Sequence, residues 1–152
     1  MKKIFIYFVF AVLLSCKKDN VDDGGGNNQT TLSDKIAKTW VANSVKEDGA
    51  SVYSKGDNSN LKPGYSAFKL DLQKNGTLSL EEIEGTKISG KWRLASNDSK
   101  LVLENLQPVP SESGGTLEFT ISLANETNLN ISATKSNFKT GGTMNTYILI
   151  PG

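Results

Sequence analysis

The sequence contains no histidine and only one cysteine, Cys16, among its 152 residues. Histidine is the commonest general base and metal ligand, so its absence excludes a Ser-His-Asp triad and a histidine-ligated metal. One cysteine excludes an intramolecular disulfide and a zinc-thiolate cluster. The near-neutral balance of 17 basic and 16 acidic side chains gives no electrostatic basis for binding nucleic acid. We therefore expect that the protein binds no cofactor and no metal and is not an enzyme.

The N-terminal segment has the pattern of a bacterial lipoprotein signal. Two lysines follow Met1, and the apolar run 4–14 suits a signal peptide but is too short to span a bilayer as a helix. The run ends in Leu-Leu-Ser-Cys at 13–16, which resembles a lipobox with its small residue before the cysteine. We expect residues 1–15 to be removed as a signal peptide and Cys16 to carry lipid that anchors the chain to a membrane.

A polar, glycine-rich stretch follows the cysteine and predicts a flexible lipidated tether over residues 16–31. The charged residues directly after Cys16 are similar to the export tags of surface lipoproteins from the Bacteroidetes group. This pattern indicates an outer-membrane lipoprotein, and it leaves open whether the domain faces the periplasm or the cell surface.

From residue 32 onward the pattern is that of one folded domain, 32–152. Leu32 and Ile36 share a face of a short helix that could plug the end of a core. Apolar and polar residues then alternate with a period of two, and turn sequences such as Asn-Gly at 75–76 separate the runs. In the first run, Trp40, Ala42 and Ser44 alternate with Val41, Asn43 and Val45.

Such alternation is typical of antiparallel strands with one buried face. The runs predict an all-β domain, an up-and-down antiparallel barrel of about eight strands with a short N-terminal helix. An open sandwich is the alternative.

Three longer connections, 48–64, 107–115 and 135–142, follow alternate strands of such a barrel and should open at the same end. Loops gathered at one rim often carry function. Tyr53, Tyr65 and Phe138 lie in or beside these rim loops. Their rings could contact a sugar, a lipid or a protein, or they could fold back and cap the barrel.

The order of the motifs resembles the lipocalin-like domains of Bacteroidetes lipoproteins. A short helix is followed by Thr-Trp-Val at 39–41, a strand at 68–72 that leads to Asn-Gly-Thr at 75–77, Gly-Lys-Trp at 90–92 and Phe-Thr-Ile at 119–121. The resemblance covers residues 32–150. It implies a lipocalin-like barrel, and it bears mainly on the fold, because many members of this group have no established ligand.

The leading hypothesis from the sequence is a non-enzymatic module that holds a small apolar ligand or presents its rim loops to a protein partner. The candidate ligand-binding interior comprises Trp40, Phe68, Leu70, Leu72, Trp92, Phe119 and Ile121. These side chains are large, so the alternative is a barrel with a filled core that acts through its surface, as an interaction or inhibitor lipoprotein. The two tryptophans could stack on a sugar, but core packing is favoured.

Two acidic patterns are weaker candidates. Segment 71–82 matches a calcium-binding EF-hand loop at several positions, but strand patterns flank it where helices are required, so a hairpin is favoured. Glu81, Glu82 and Glu84 with Asp71 could supply the carboxylate pair of a glycoside hydrolase. The alternative, charge on the wet face of a strand, is favoured here too.

Overall fold

The alternating runs form nine strands in a computed structural model that describes residues 30–152. The expected signal peptide, Cys16 and the expected tether up to residue 29 lie outside the described residues. The elements are α1 (Leu32–Ile36), β1 (Thr39–Glu47), β2 (Ala50–Ser54), a 3-10 helix (Pro63–Ala67), β3 (Lys69–Leu72), β4 (Thr77–Glu81), β5 (Lys87–Ala95), β6 (Lys100–Gln107), β7 (Leu117–Ala124), β8 (Leu129–Ala133), a second 3-10 helix (Phe138–Thr140) and β9 (Asn145–Pro151).

Eight of these strands close into an antiparallel barrel, which confirms the predicted fold class. Strands β3 to β9 pair in sequence order, β9 pairs with β1, and β1 pairs with β3. The sheet therefore returns on itself, and the open sandwich is excluded. The connections 48–68, 82–86, 108–116 and 134–144 lie at one end, which we call the open end. The other end, the closed end, carries α1 and three short turns.

Strand β2 is an additional strand within the segment 48–64, which was expected to be a loop. Asp48 and Gly49 both have positive φ, 48° and 83°, and form the tight turn that returns β2 along β1. On one edge of β1, the short strand β3 pairs with Thr39, Trp40 and Val41 only. The second half of this edge is therefore free to pair with β2. This pairing covers backbone groups that would otherwise form an exposed edge.

The strict alternation predicted for β1 is wrong in its second half. Its register with β9 shifts between Ala42 and Ser44. Such a bulge moves the following residues to the opposite face of the strand. Val45, which was predicted to lie opposite Trp40, is therefore buried in the core with it, and so is Glu47.

Helix α1 seals the closed end. Thr31 and Asp34 form a capping box: Thr31 Oγ1 accepts from the Asp34 amide at 3.1 Å, and the Asp34 carboxylate accepts from the Thr31 amide at 3.2 Å. The Thr31 hydroxyl also donates to the Asp34 carboxylate at 2.7 Å, and this bond, together with the one from the Thr31 amide, holds the pKa of Asp34 below its usual value. Ile36 points into the barrel and is completely buried, and its carbonyl accepts from the indole Nε1 of Trp40 at 2.8 Å.

Trp92 completes the closed end from the opposite side of the barrel. Its indole Nε1 donates to the carbonyl of Gln73 at 2.8 Å, and its backbone amide donates to the Gly76 carbonyl, so it fixes the β3–β4 turn. Gly90, two residues earlier, is required by close packing, because a Cβ there would meet the Glu104 carbonyl oxygen at 2.7 Å. In the Gly-Lys-Trp motif, both the glycine and the tryptophan thus have packing roles.

We expect Ile36→Ala to lower the free energy of unfolding by about 2–4 kcal/mol, because it leaves a cavity between α1 and the core. Urea unfolding followed by tryptophan fluorescence measures this change. Leu61→Ala removes the same number of carbons from a side chain that is 77% exposed and should cost less than about 0.5 kcal/mol. Equal losses in both variants would show that α1 does not seal the core.

Candidate functional site

A cavity of about 90 Å³ lies at the open end of the barrel. Its apolar wall consists of Phe68, Ile83, Leu117, Phe119 and the ring of Tyr147. An engineered apolar cavity of about 150 Å³ binds benzene, and drug-sized ligands occupy about 300–1,000 Å³. The space therefore suits a single small ring or a short chain rather than a large ligand.

The ring of Tyr147 is the centre of the aromatic cluster around this cavity. It stacks on Phe68 with a centroid distance of 4.8 Å and an interplanar angle of 21°. Phe119 and Tyr65 meet it edge to face, both at 6.2 Å. These are the offset and T-shaped arrangements that aromatic pairs prefer, so the cluster forms a rigid wall.

The first 3-10 helix, Pro63–Ala67, places Tyr65 and Phe68 over the mouth of the barrel. Pro63 occupies its first turn, where the missing amide hydrogen costs nothing. Gly64 lies so close to the β4–β5 turn that a Cβ would meet the Ile83 carbonyl oxygen at 2.9 Å. The helix therefore packs flat against this turn, and the two aromatic rings that follow Gly64 point into the barrel.

The predicted interior residues divide into two groups. Phe68 and Phe119 line the cavity, and Ile121 is half-buried against the core. The others are buried in the hydrophobic core below the cavity, where they fill the barrel. These core residues are Trp40, Leu70, Leu72 and Trp92.

Two of the predicted rim aromatics, Tyr53 and Tyr65, are buried rather than exposed. Tyr53 lies in β2 and Tyr65 in the 3-10 helix, and their side chains are only 6% and 1% exposed. Both fold back over the barrel, as the capping alternative predicted, and their rings meet at 6.1 Å. Phe138 begins the second 3-10 helix, in the β8–β9 connection.

A buried carboxylate, Glu47, organises the polar side of the open end. Its Oε1 accepts from Tyr65 Oη at 2.7 Å, and its Oε2 accepts from Lys62 Nζ at 2.5 Å. A charge in such a place is tolerated only when it is paired and hydrogen-bonded. Glu47 could not be recognised from the sequence, because the bulge in β1 reverses the face on which it lies.

Asn145, also missed, joins this carboxylate network to the cavity. Its amide Nδ2 donates to Tyr65 Oη at 3.2 Å and to Tyr147 Oη at 3.1 Å, while its Oδ1 accepts from Thr143 at 2.8 Å. Burial raises the pKa of both tyrosines, so their hydroxyls stay protonated at neutral pH. The only signal in the sequence is its place at the start of the last strand, on the same face as Tyr147.

An ion pair between Lys139 and Glu82 spans the mouth. It links the β8–β9 connection to the β4–β5 turn, and both side chains line the cavity. The pair is largely shielded from solvent, with exposures of 22% and 12%. It therefore restricts access to the cavity from this side.

The acidic patterns of the sequence form neither a calcium loop nor a carboxylate pair. Asp71 accepts from Thr39 at 2.9 Å and from Gln73 at 2.7 Å, and Asn75 caps its own turn by accepting from the Thr77 amide. Segment 71–82 is a hairpin, as favoured. Of the four acidic candidates, only Glu82 lines the cavity. Within residues 30–152, no group of three His, Cys, Asp or Glu side chains is placed to hold a metal.

The structure resembles solved structures in its fold. It is similar to a lipocalin-like protein from Bacteroides uniformis, with 16% identity, 78% of this chain and 99% of that chain covered, and a TM-score of 0.52. An uncharacterized protein from Bacteroides eggerthii matches with 11% identity, 76% and 98% coverage and a TM-score of 0.44. No protein-family model and no curated protein matches the sequence.

The first of these matches shows a lipocalin-like fold, in agreement with the resemblance seen in the sequence. Among residues 30–152, no helix has the length and apolar character needed to cross a membrane.

We expect Tyr65→Phe to lower the free energy of unfolding by about 1–3 kcal/mol, because it removes a hydrogen bond from the buried Glu47 carboxylate. The control is Tyr53→Phe, which keeps the ring that packs on Tyr65 and takes no hydroxyl from the Glu47 network. It should change stability by less than about 0.5 kcal/mol. Urea unfolding distinguishes the two, and equal effects would rule out a structural role for the Tyr65–Glu47 bond.

Proposed function

We propose that this lipocalin-like barrel belongs to a membrane-anchored lipoprotein that binds a small, largely apolar molecule. The ligand occupies the cavity at the open end. The lipid on Cys16 holds the protein at the outer membrane, on its periplasmic side or at the cell surface. The role is binding rather than catalysis.

The observation that carries this proposal is the aromatic wall of the cavity. The core below is filled by large side chains, yet Phe68, Phe119 and Tyr147 enclose a space that their neighbours leave open. An apolar cavity with a few polar groups at its edge is the usual form of a small-molecule site. The lipocalin-like fold of the Bacteroides uniformis protein supports the same interpretation at the level of architecture.

A second function, docking of a protein partner, is favoured by the loops of the open end. Of the four large apolar side chains that stand exposed among those whose burial the structure describes, three lie in connections at this end. They are Leu61, Val109 and Met144, with exposures of 77%, 53% and 42%. Exposed apolar groups of this kind are typical of interaction surfaces. A barrel that acts in this way needs no small ligand.

Native mass spectrometry of the mature protein extracted from its own membranes tests the ligand. We expect a discrete mass, beyond the acyl chains, that is lost on denaturation. Ala133→Leu, on β8 beside β7, should fill the cavity and abolish this mass. Thr120→Leu, on the exposed outer face of β7, should keep it. A folded wild-type protein without additional mass would contradict the ligand and favour partner docking.

Replacement of the cysteine tests the anchor. We expect Cys16→Ser to prevent lipidation, because thioether attachment requires the thiol. Mass spectrometry of the intact chain detects the loss of the acyl groups. Ser15→Ala, which keeps a small residue before the cysteine, is the matched control and should remain lipidated. Acyl groups that persist on the Cys16→Ser chain, or a wild-type chain without acyl groups, would contradict the proposed anchor.

A further inference from the structure

The hydroxyl groups at the edge of the cavity are already hydrogen-bonded to other side chains of the barrel. Tyr147 Oη accepts from Asn145 Nδ2 at 3.1 Å and is also hydrogen-bonded to the side chains of Asn137 and Tyr65. Tyr65 Oη in turn donates to the Glu47 carboxylate at 2.7 Å. The two tyrosines therefore meet their hydrogen-bonding needs within the chain.

The same holds for the other buried polar groups of the cavity wall. Among the side chains that the structure describes, one buried nitrogen or oxygen atom has no hydrogen-bond partner, and this atom is Asn130 Oδ1. Asn130 lies on β8 and does not line the cavity. A polar group of a ligand that enters the cavity would lose its hydrogen bonds to water, and it could replace them only by breaking a bond of the wall.

The carboxylates beside the cavity are paired as well. Glu82 binds Lys139, and Glu118 binds Lys100. The remaining charged residues of the lining have opposite signs and are exposed to solvent; they are Glu112 and Lys135. Because these charges balance, the mouth attracts neither an anion nor a cation, and a neutral ligand avoids the cost of burying a charge.

The apolar part of the wall suits a ring. Phe68 and Phe119 hold the ring of Tyr147 between a stacked and an edge-to-face contact, so the three rings have fixed orientations. A further ring can pack against them in the same two arrangements. The volume of about 90 Å³ leaves space for one such ring.

We propose that the part of the ligand inside the cavity is a single uncharged hydrocarbon ring without a hydrogen-bonding atom. The ring packs against Phe68 and Phe119, and the completed hydrogen-bond network of Tyr147 excludes polar rings of the same size. This inference rests on the proposed ligand-binding function and names the chemical class of its ligand.

Benzene and pyridine test the inference, because they have the same shape and differ in one ring atom, a C–H group against a nitrogen that accepts hydrogen bonds. Binding is measured calorimetrically on the mature lipoprotein in nanodiscs, with empty nanodiscs as the reference for partitioning. The buffer is mildly alkaline, so that pyridine is neutral. We expect the wild type to prefer benzene by roughly tenfold or more, since the pyridine nitrogen would be buried without a partner.

Tyr147→Phe tests whether the network causes this preference. The Asn137 oxygen accepts from the Lys139 amide at 3.0 Å, so loss of the Tyr147 hydroxyl frees the Asn137 amide nitrogen at the edge of the cavity. Pyridine can then accept from this nitrogen, and the preference for benzene should fall several-fold. Tyr53→Phe is the matched control, since Tyr53 is buried but does not line the cavity, and it should keep the wild-type preference.

Loss of benzene binding in Ala133→Leu would place the probe in the cavity. Pyridine binding as tight as benzene binding in the wild type, or a preference that is unchanged in Tyr147→Phe, overturns the inference and leaves the binding function intact. Binding of neither probe also overturns it, and the mass spectrometry of the native protein then decides the binding function by itself. The comparison within the wild type decides even if Tyr147→Phe does not fold.

Discussion

The double pairing of β1 is the constraint on which the rest of the structure depends. One edge of β1 pairs with β9 along nearly its whole length and closes the barrel. The other edge is shared, with β3 at its start and β2 at its end. The bulge after Ala42 then sets which residues of β1 point inward. Trp40 therefore reaches the closed end, and Glu47 reaches the open end, from a single strand.

The two ends of the barrel are stabilised by different kinds of interaction. At the closed end, the indole of Trp40 donates to the Ile36 carbonyl of α1, and apolar side chains form a solid core. At the open end, a buried carboxylate, two tyrosines and Asn145 hold the aromatic rings by hydrogen bonds. Hydrogen bonds of this kind fix the orientation of a ring more strictly than apolar contact does. The cavity lies at the open end, beside these aromatic rings.

The fold could be predicted from the sequence because alternation and turns are local signals. Each run from Lys69 to Pro151 needed only its own pattern to be recognised as a strand, and short turns made sequential neighbours antiparallel. The site could not be predicted in this way. Glu47 is moved inward by a bulge that depends on β9, about 100 residues away, and Tyr65 and Asn145 meet only in the folded barrel. Strand β2 was not predicted, because it forms where the short strand β3 leaves half of one edge of β1 unpaired.

The position of α1 gives the domain a polarity. The chain enters the described structure at Thr30, directly before the helix that lies beneath the core. The aromatic cavity and the apolar loops lie at the opposite pole. The chain upstream of Thr30 therefore joins the barrel at its base, and the cavity lies at the pole turned away from this junction.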